Sequence, residues 1–422
     1  MTLRETLREM LRETLTHDLA KMLYVMLVNL NDSRKTIFIF QAIFSMFNRF
    51  LNTIENEDLK FLLKHNRRPR FYFKLHDGTM ILHLDRWNSI NLYYRTIEHH
   101  FDGVRALIIS NWSLPTLEWL PVKFSHVESL RYISFNNVDL SGLKCLSYCF
   151  SESVHVKKLD LSRVRIRSIE LLNGTFELSK GLKTINLSGW NTSNLISMYS
   201  CFRKCEKLKT VSMNGWHTPN LKDMSYAFDG CKLLRRINLS DWNASMIRNM
   251  KSTFSECKSL ESVILNWCTP NLVTLKSTFA FSGIKEIDLS SLNPRQLLKM
   301  NHCFEGCVSL RKIKISGWDM QCIENLDSCF KDCESLKELD FSNWKIRDVW
   351  SMYECFSHCI ALEKLDISSW GLIDTILTRA FKECYSLKEI YCAEDIFNRI
   401  KIRLPESDNW AWYDGVAVKV NN

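Results

Sequence analysis

A phenylalanine recurs along most of this chain at a nearly constant spacing of 25 or 26 residues. A period in the range of about 20–50 residues is the sequence signature of a repeat architecture. A unit of this length cannot bury its own apolar face, so the units are predicted to stack into a solenoid in which each coil contacts its neighbours. The phenylalanines that mark the repeat are Phe124, Phe150, Phe176, Phe202, Phe228, Phe254, Phe279, Phe304, Phe330, Phe356 and Phe381.

Two further positions accompany each phenylalanine. A Met or Leu stands four residues before it and a cysteine stands three residues after it, as in Met198, Phe202 and Cys205. Spacing of i, i+4 and i+7 places all three on one face of a helix, so the sequence predicts a short helix in every coil. From Phe202 onward the cysteine position is occupied by Cys205, Cys231, Cys257, Cys307, Cys333, Cys359 and Cys384, with Ser282 as the exception.

A short strand is predicted after each of these helices. Apolar residues such as Ile237 and Leu239 alternate with polar ones, which is the two-residue period of a strand. A tryptophan recurs in the turn that follows, for example Trp216, and segments such as Gly215–Asn220 predict the return turn. The fold class predicted is therefore an α/β repeat solenoid of strand–turn–short helix coils, whose strands stack into one parallel sheet.

The repeat resembles a known family. The stretches Ile185–Asn194 (INLSGWNTSN) and Phe228–Leu234 (FDGCKLL) are similar to the BspA-like leucine-rich repeat, L-x-L-S-x-W-x-T-S-N-V-x-x-M-x-x-M-F-x-x-C-x-x-L. The resemblance covers roughly residues 120–395 and implies a leucine-rich-repeat solenoid. Repeats of this kind occur in bacterial surface proteins and lipoproteins, in protists and in large DNA viruses of insects. The role that the resemblance implies is adhesion or protein binding, without a named partner.

The chain is predicted to have three parts. Residues 1–100 lack the repeat and are predicted to be a helical N-terminal cap or accessory region with a hairpin at 71–84, residues 101–395 are the solenoid, and residues 396–422 are a C-terminal cap. The apolar run Ile37–Leu51 is shorter than the roughly 20 residues that span a membrane, so no span is expected. In the C-terminal part, Ile400–Leu404 predicts a last strand and Trp410–Tyr413 an aromatic cap.

The sixteen cysteines allow three interpretations. Pairs four residues apart, such as Cys201 and Cys205, could serve a zinc site, but zinc motifs normally place two residues between paired ligands. Equivalent cysteines one coil apart also fall near disulfide distance. The interpretation favoured is a column of reduced, packed thiols that act as small hydrophobes, with no metal and no cofactor.

The sequence contains no catalytic signature. A phosphate loop, a dinucleotide glycine fingerprint, His-Glu-x-x-His and Gly-x-Ser-x-Gly are all missing from it. The net charge of +9 is modest for 422 residues and is spread evenly, which does not favour a dedicated nucleic-acid binder. We therefore predict a non-enzymatic protein, with no catalytic residues and a protein or peptide as partner.

The candidate binding residues lie between the two buried positions of each strand. A side chain there must point away from the core. The mixture of acidic and basic residues in the carboxyl half favours a charge-complementary protein or peptide over nucleic acid. The predicted partner-binding column is Asp160, Asn186, Ser212, Asn238, Asp288, Lys314, Asp340 and Asp366.

The compartment is predicted from the first residues of the chain and from its cysteine content. Met1–Glu5 carries mixed charges and does not resemble a secretory signal, so a thiol-rich chain of this kind is expected in the cytoplasm. Two alternatives remain open. One is a surface adhesin or lipoprotein-like binding protein on the cell surface or secreted, and the other is a viral host-interaction regulator that recruits through its N-terminal helices.

Overall fold

The computed structural model describes residues 70–76, 79–85, 104–120, 124, 130–315, 317–347, 349–372 and 374–420. Over this part of the chain the protein is a β-solenoid of about eleven coils. Each complete coil contributes one short strand to a parallel row. A second row of single parallel bridges joins the opposite side of the coils from Trp119 to Ile376.

The strands of the parallel row are mostly three residues long, because each coil turns sharply at both ends of its strand. The described strands are β1 (Arg70–His76), β2 (Thr79–Asp85), β3 (Val104–Ser110), β4 (Tyr132–Asn136), β5 (Val138–Asp139), β6 (Lys158–Asp160), β7 (Val164–Arg165), β8 (Thr184–Asn186), β9 (Thr210–Ser212), β10 (Arg236–Asn238), β11 (Ser262–Ile264), β12 (Glu286–Asp288), β13 (Lys312–Lys314), β14 (Glu338–Asp340), β15 (Lys364–Asp366), β16 (Glu389–Tyr391), β17 (Trp410–Tyr413) and β18 (Val416–Lys419).

The row is parallel, as predicted, but it is not one hydrogen-bonded sheet. Strands β1 and β2 pair antiparallel, β2 pairs parallel with β3, and parallel pairing continues through β4, β6, β8 and β9. Pairing is interrupted after β9, after β11 and after β13, and β5 and β7 form a separate parallel pair. Strands of three residues have few ladder bonds, so a small displacement is enough to end the pairing.

The core is built from stacked columns of equivalent residues. Every phenylalanine of the repeat stacks on the next, with ring centroids between 5.1 Å for Phe124–Phe150 and 5.9 Å for Phe330–Phe356. The tryptophans stack in the same way, as in Trp216–Trp242 at 5.4 Å. The Trp216 indole N–H also donates to the carbonyl of Leu187 in the preceding coil, at 2.9 Å. Stacked aromatic pairs add to the stabilisation from burial, so both columns tie neighbouring coils together.

The predicted short helix of each coil is wrong. The segment around each phenylalanine is a series of turns. Every second N–H group in it donates to a carbonyl of the next coil instead of one in its own coil. The N–H groups of Met198, Ser200 and Phe202 donate to carbonyls of the next coil at 2.7–2.9 Å. Those between them close turns within the coil, as Cys201 does on Met198 at 3.0 Å. An α-helix would instead bond every N–H to the carbonyl four residues earlier. We call this segment the outer ladder.

Left-handed residues make the outer ladder possible. In each coil from the second phenylalanine onward, the residues two before and two after the phenylalanine have positive φ, as Ser200 at 52° and Lys204 at 58° do. This alternation turns successive peptide groups in opposite directions, while Met198, Phe202 and Cys205 still reach the core with 0% exposure. The i, i+4, i+7 spacing is therefore met without a helix. Most of these positions are not glycine, although residues other than glycine rarely adopt this conformation.

The C-terminal end changes from stacked coils to a helix and a hairpin. Helix α1 (Glu394–Ile400) is followed by 3₁₀ turns at Lys401–Arg403 and Ser407–Asn409, and a further 3₁₀ turn lies at Ser290–Leu292. Strands β17 and β18 pair antiparallel, and β18 pairs antiparallel with β16. The strand predicted at Ile400–Leu404 is wrong, because Ile396 and Ile400 are buried at helical spacing and the next residues continue as a 3₁₀ turn.

The predicted N-terminal helices, including Ile37–Leu51, lie outside the residues that the structure describes. Within the described part, no helix has both the length and the apolar character to cross a membrane.

Candidate partner-binding face

The outward side chains of the strand row form one continuous surface, which we call the strand face. In β10 the middle residue, Ile237, is 5% exposed, whereas Arg236 and Asn238 on either side of it are exposed. The same alternation recurs along the row. Of the eight predicted binding residues, Asp160, Asn238, Asp288, Lys314 and Asp340 are exposed and Asn186, Ser212 and Asp366 are half-buried.

The carboxylates and amides of this column also have a local structural role. The Oδ1 atom of Asp340 accepts the N–H of Ser342 at 2.9 Å, and that of Asn238 accepts the N–H of Ser240 at 3.0 Å. These are Asx turns, in which a short polar side chain replaces a backbone acceptor two residues away. The same bond is made by Asp160, Asn186, Asp288 and Asp366. Recurrence of Asp and Asn in the column is therefore explained by the turn that ends each strand.

These bonds lower the pKa of several of the carboxylates. Hydrogen bonding from Ser290 lowers the pKa of Asp288, with a further contribution from the nearby Lys314 ammonium. Hydrogen bonding from Ser342 likewise lowers the pKa of Asp340. The Asp160 pKa is lowered in the same way by the hydroxyl and N–H of Ser162. These three side chains are therefore held as anions on the surface at neutral pH.

Charges on the C-terminal half of the face pair with one another across neighbouring coils. Lys314 Nζ lies 3.3 Å from a carboxylate oxygen of Asp288, its register partner. Lys364 Nζ lies 3.6 Å from a Glu389 carboxylate oxygen and 4.6 Å from the ring centre of Tyr391. Ion pairs at this exposure contribute little to stability, but they leave this half with an alternating pattern of charge.

A second charged column flanks the strand face and was missed by the sequence reasoning. The residue immediately before the strand is basic and exposed in five consecutive coils, and Arg105, near the start of β3, is the register equivalent in the coil before them. The signal of the five in the sequence is a basic residue seven positions after the phenylalanine, repeated at the same period. We call it the basic column, and its members are Arg105, Arg131, Lys157, Lys183, Lys209 and Arg235.

An open depression lies where the basic column meets the amino-terminal end of the strand face. Its volume is about 250 Å³, and its lining includes Tyr132, Asn136, Lys158, Asp160 and Arg163. Its single carboxylate, Asp160, is engaged in an Asx turn, so the lining does not present a pair of free acid and base groups.

The cysteines of the repeat donate hydrogen bonds inside the core. The Cys205 thiol donates to the carbonyl of Phe176 in the preceding coil at 3.0 Å, and Cys257 does so to Phe228 at 3.1 Å. Ser179 makes the same bond to Phe150 at 2.8 Å. Burial raises the pKa of the thiols, to about 11 for Cys307, so they remain protonated donors at neutral pH.

Burial and hydrogen bonding account for the recurrence of cysteine at this position of the core. All sixteen cysteines are free thiols. Over the part of the chain that the structure describes, no group of three or more His, Cys, Asp or Glu side chains is arranged to hold a metal ion. The cysteine column is thus a packing and hydrogen-bonding feature of the core.

Comparison with protein families identifies the repeat. The family described as "Mycoplasma protein of unknown function, DUF285" matches residues 118–237, 144–267 and 222–314. The family described as "BspA type Leucine rich repeat region (6 copies)" matches residues 298–403. No curated protein matches the chain.

Several solved structures align with much of this chain at low sequence identity. A leucine-rich repeat protein from Eubacterium ventriosum is 15% identical, with 76% of this chain and 82% of that chain aligned and a TM-score of 0.26. A leucine-rich repeat protein from Leptospira interrogans is 12% identical over 76% and 94%, with a TM-score of 0.24. The Toll–Spatzle complex of Drosophila is 10% identical over 73% and 52%, with a TM-score of 0.25.

The alignment therefore spans about half of the Toll–Spatzle chain, and none of these TM-scores is high enough to bear on function. The two family matches are the stronger finding, because together they follow the phenylalanine period from residue 118 to residue 403. The repeats at residues 298–403 are thus BspA-type leucine-rich repeats, and the repeats at residues 118–314 match the family of unknown function.

Proposed function

We propose that this chain is a non-enzymatic interaction module that binds a protein or peptide through the strand face. The observation that carries the proposal is the outward alternation of the strand row, which presents polar side chains in fixed register on a rigid core. Leucine-rich-repeat folds generally bind protein partners, and stacked repeats offer the extended surface that such binding needs. The residues proposed to contact the partner are Asp160, Asn186, Ser212, Asn238, Asp288, Lys314, Asp340 and Asp366.

The experiment must separate charge from structure, because the Asp residues of the column also form Asx turns. Replacing them with Lys would remove both. Replacing Asp288, Asp340 and Asp366 together with Asn removes the charge and keeps the Oδ1 acceptor, as Asn238 shows within this chain. The matched control is Asp241→Asn, Glu334→Gln and Asp374→Asn, three exposed carboxylates that lie off the strand face.

A partner recovered by pull-down with the intact chain is then purified and titrated against both variants. The expected result is weaker and less salt-dependent binding in the strand-face variant, with the control unchanged, because interface charge mainly governs association and selectivity. Circular dichroism should match the parent for both. Equal binding by both variants, together with loss of binding on substitution among residues 1–100, would assign recruitment to the N-terminal region and overturn the proposal.

The cytoplasmic location stays a prediction. BspA-like repeats are often surface-associated, so a surface role is the alternative. Thiol titration of protein from its native source separates the two, because an oxidising compartment would leave few free thiols.

A further inference from the structure

The basic column has an unusual electrostatic arrangement. The N–H of Lys183 donates to the carbonyl of Lys157, and that of Lys209 donates to Lys183, both at 2.8 Å. The backbone therefore holds these residues in single file, at the strand spacing of about 4.8 Å. Within the described part of the chain, none of these three ammonium groups has a carboxylate partner. Like charges at this separation repel, and the fold gains nothing from them.

The strand face beside the basic column does not neutralise it. In the five coils from β4 to β10, the pre-strand residue and the outward strand residues include one carboxylate, Asp160. The same positions carry seven basic side chains, Arg131, Lys157, Lys158, Lys183, Lys209, Arg235 and Arg236. The first carboxylate beyond this region is Glu261, which pairs with Arg235 and Arg236. The amino-terminal half therefore carries a strip with seven basic side chains and one carboxylate, Asp160, and the strip ends at Glu261.

We propose that this strip binds an acidic peptide segment in extended conformation, running across the coils. The inference rests on the proposed protein-binding function and specifies the chemistry of the partner. Six coils span roughly 24 Å, which is the length of about seven residues of an extended chain. Alternate side chains of such a chain are about 6.8 Å apart, whereas neighbouring coils are about 4.8 Å apart. The flexible lysine side chains accommodate this difference.

The neighbouring side chains favour a peptide over a nucleic acid. Proteins that bind single-stranded nucleic acid stack bases on aromatic side chains. Over the five coils from β4 to β10 the outward positions carry one exposed aromatic residue, Tyr132 in β4, and none in β6, β8, β9 or β10, so successive bases would find no stacking column. These positions present Thr184, Asn186, Thr210 and Ser212, whose hydroxyl and amide groups match the hydrogen-bonding groups of a peptide backbone.

The test compares two triple variants of the full chain at the same repeat position. The first replaces Lys157, Lys183 and Lys209 with Gln in the basic column. The control makes the same change at Lys285, Arg311 and Lys337, which precede strands in the C-terminal half. Thermal melts establish that both variants fold. The probe is a fluorescein-labelled peptide of alternating Glu and Thr, about ten residues long so that it spans the column.

At low salt the peptide should bind the parent, weaken about tenfold in the basic-column variant and change less than about twofold in the control. Binding should also weaken as salt rises. Failure of the peptide to bind the parent, or an equal loss in both variants, overturns the inference. Tighter binding of an oligothymidylate or of heparin than of the peptide, lost in the same variant, also overturns it by assigning the strip to another polyanion.

The recovered partner distinguishes this inference from the broader proposal. Loss of its binding in the Asp288, Asp340 and Asp366 to Asn variant, with no change in the basic-column variant, would leave protein binding in place and overturn the acidic-peptide inference. Loss in both variants supports both, and loss in the basic-column variant alone supports the acidic-peptide inference and places the contact outside Asp288, Asp340 and Asp366. Binding that neither set of substitutions affects overturns both.

Discussion

The amino-terminal and carboxyl-terminal halves of the solenoid have the same backbone and different surface electrostatics. Phenylalanine rings stack at 5.2 Å between Phe202 and Phe228 and at 5.5 Å between Phe304 and Phe330. The basic column and strand face of the first half carry seven basic side chains and one carboxylate, whereas those of the second half carry interleaved acids and bases. One repeat geometry thus supports both surfaces, so the charge pattern is not required by the fold.

The difference also shows which positions of a repeat are free to vary. The phenylalanine position keeps the same residue in every coil and the other buried positions vary little, because a change in volume disturbs two neighbouring coils. The position before each strand contacts solvent, and it is basic in every coil from Arg131 to Arg235, whereas Glu261 and Glu363 interrupt the basic residues in the second half. Surface charge can therefore be arranged along a solenoid independently of the core.

The largest effect is expected in the core, where the halves should behave alike. Phe228→Ala and Phe330→Ala should each lower the free energy of unfolding by about 3–5 kcal/mol, because both rings are buried between two others. Chemical denaturation of the two variants is the measurement. A loss near zero in either variant would contradict the continuous phenylalanine column.

An intermediate effect is expected at the Asx turns. Asn238→Ala and Asp340→Ala each remove one hydrogen bond and should cost about 0.5–1.5 kcal/mol, whereas Asp340→Asn should cost much less. The Asp340 pKa is lowered in the folded protein, so the ionised carboxylate stabilises the fold. This contribution to the free energy of unfolding is complete above the unfolded pKa near 4.

That contribution is lost as pH falls through the folded pKa, so Asp340→Asn should flatten the stability profile below about pH 4 relative to the parent. Asn238→Ala should leave the shape of the profile unchanged. Denaturation at a series of acidic pH values checks both. If the parent and Asp340→Asn gave stability profiles of the same shape, the turn would not depend on the charge of the carboxylate.

The smallest effect is expected from single charges, and here the halves should differ in sign. Lys183→Gln should slightly raise the free energy of unfolding at low salt, since it relieves repulsion in the basic column. Lys314→Gln should slightly lower it, since Asp288 loses its partner at 3.3 Å. Each change should stay below about 0.5 kcal/mol and shrink as salt is added. Changes of the same sign would mean that the two halves are electrostatically alike.

Much of the fold could be predicted from the sequence because each buried position recurs at the same place in successive coils. The phenylalanine spacing predicted the solenoid, and the alternation in segments such as Arg236–Asn238 predicted which side chains point outward. The outer ladder could not be predicted, because apolar spacing alone does not distinguish a helix from turns with left-handed residues. Residues such as Ser200 and Lys204 give no glycine signal for this conformation.

The candidate site was predicted only in part, for a different reason. Outward residues of the strands were identified, but the role of Asp340 and its equivalents in Asx turns depends on the conformation of the next two residues. The basic column was missed because the sequence reasoning considered only how the charged residues are distributed along the chain, where they are evenly spread. Lys157, Lys183 and Lys209 are far apart in that order and adjacent only after the coils have stacked.

The outer ladder has a mechanical consequence. Its bonds between coils, such as those from Ser200 to Ser225 and from Phe202 to Ala227, run along the stacking direction, as the bonds of the strand row do. Tension applied along the stack would load both sets together, so a coil junction should resist until it yields as a unit. Each released coil of 25 or 26 residues would lengthen the chain by roughly 80 Å, so the protein should extend under load in uniform steps.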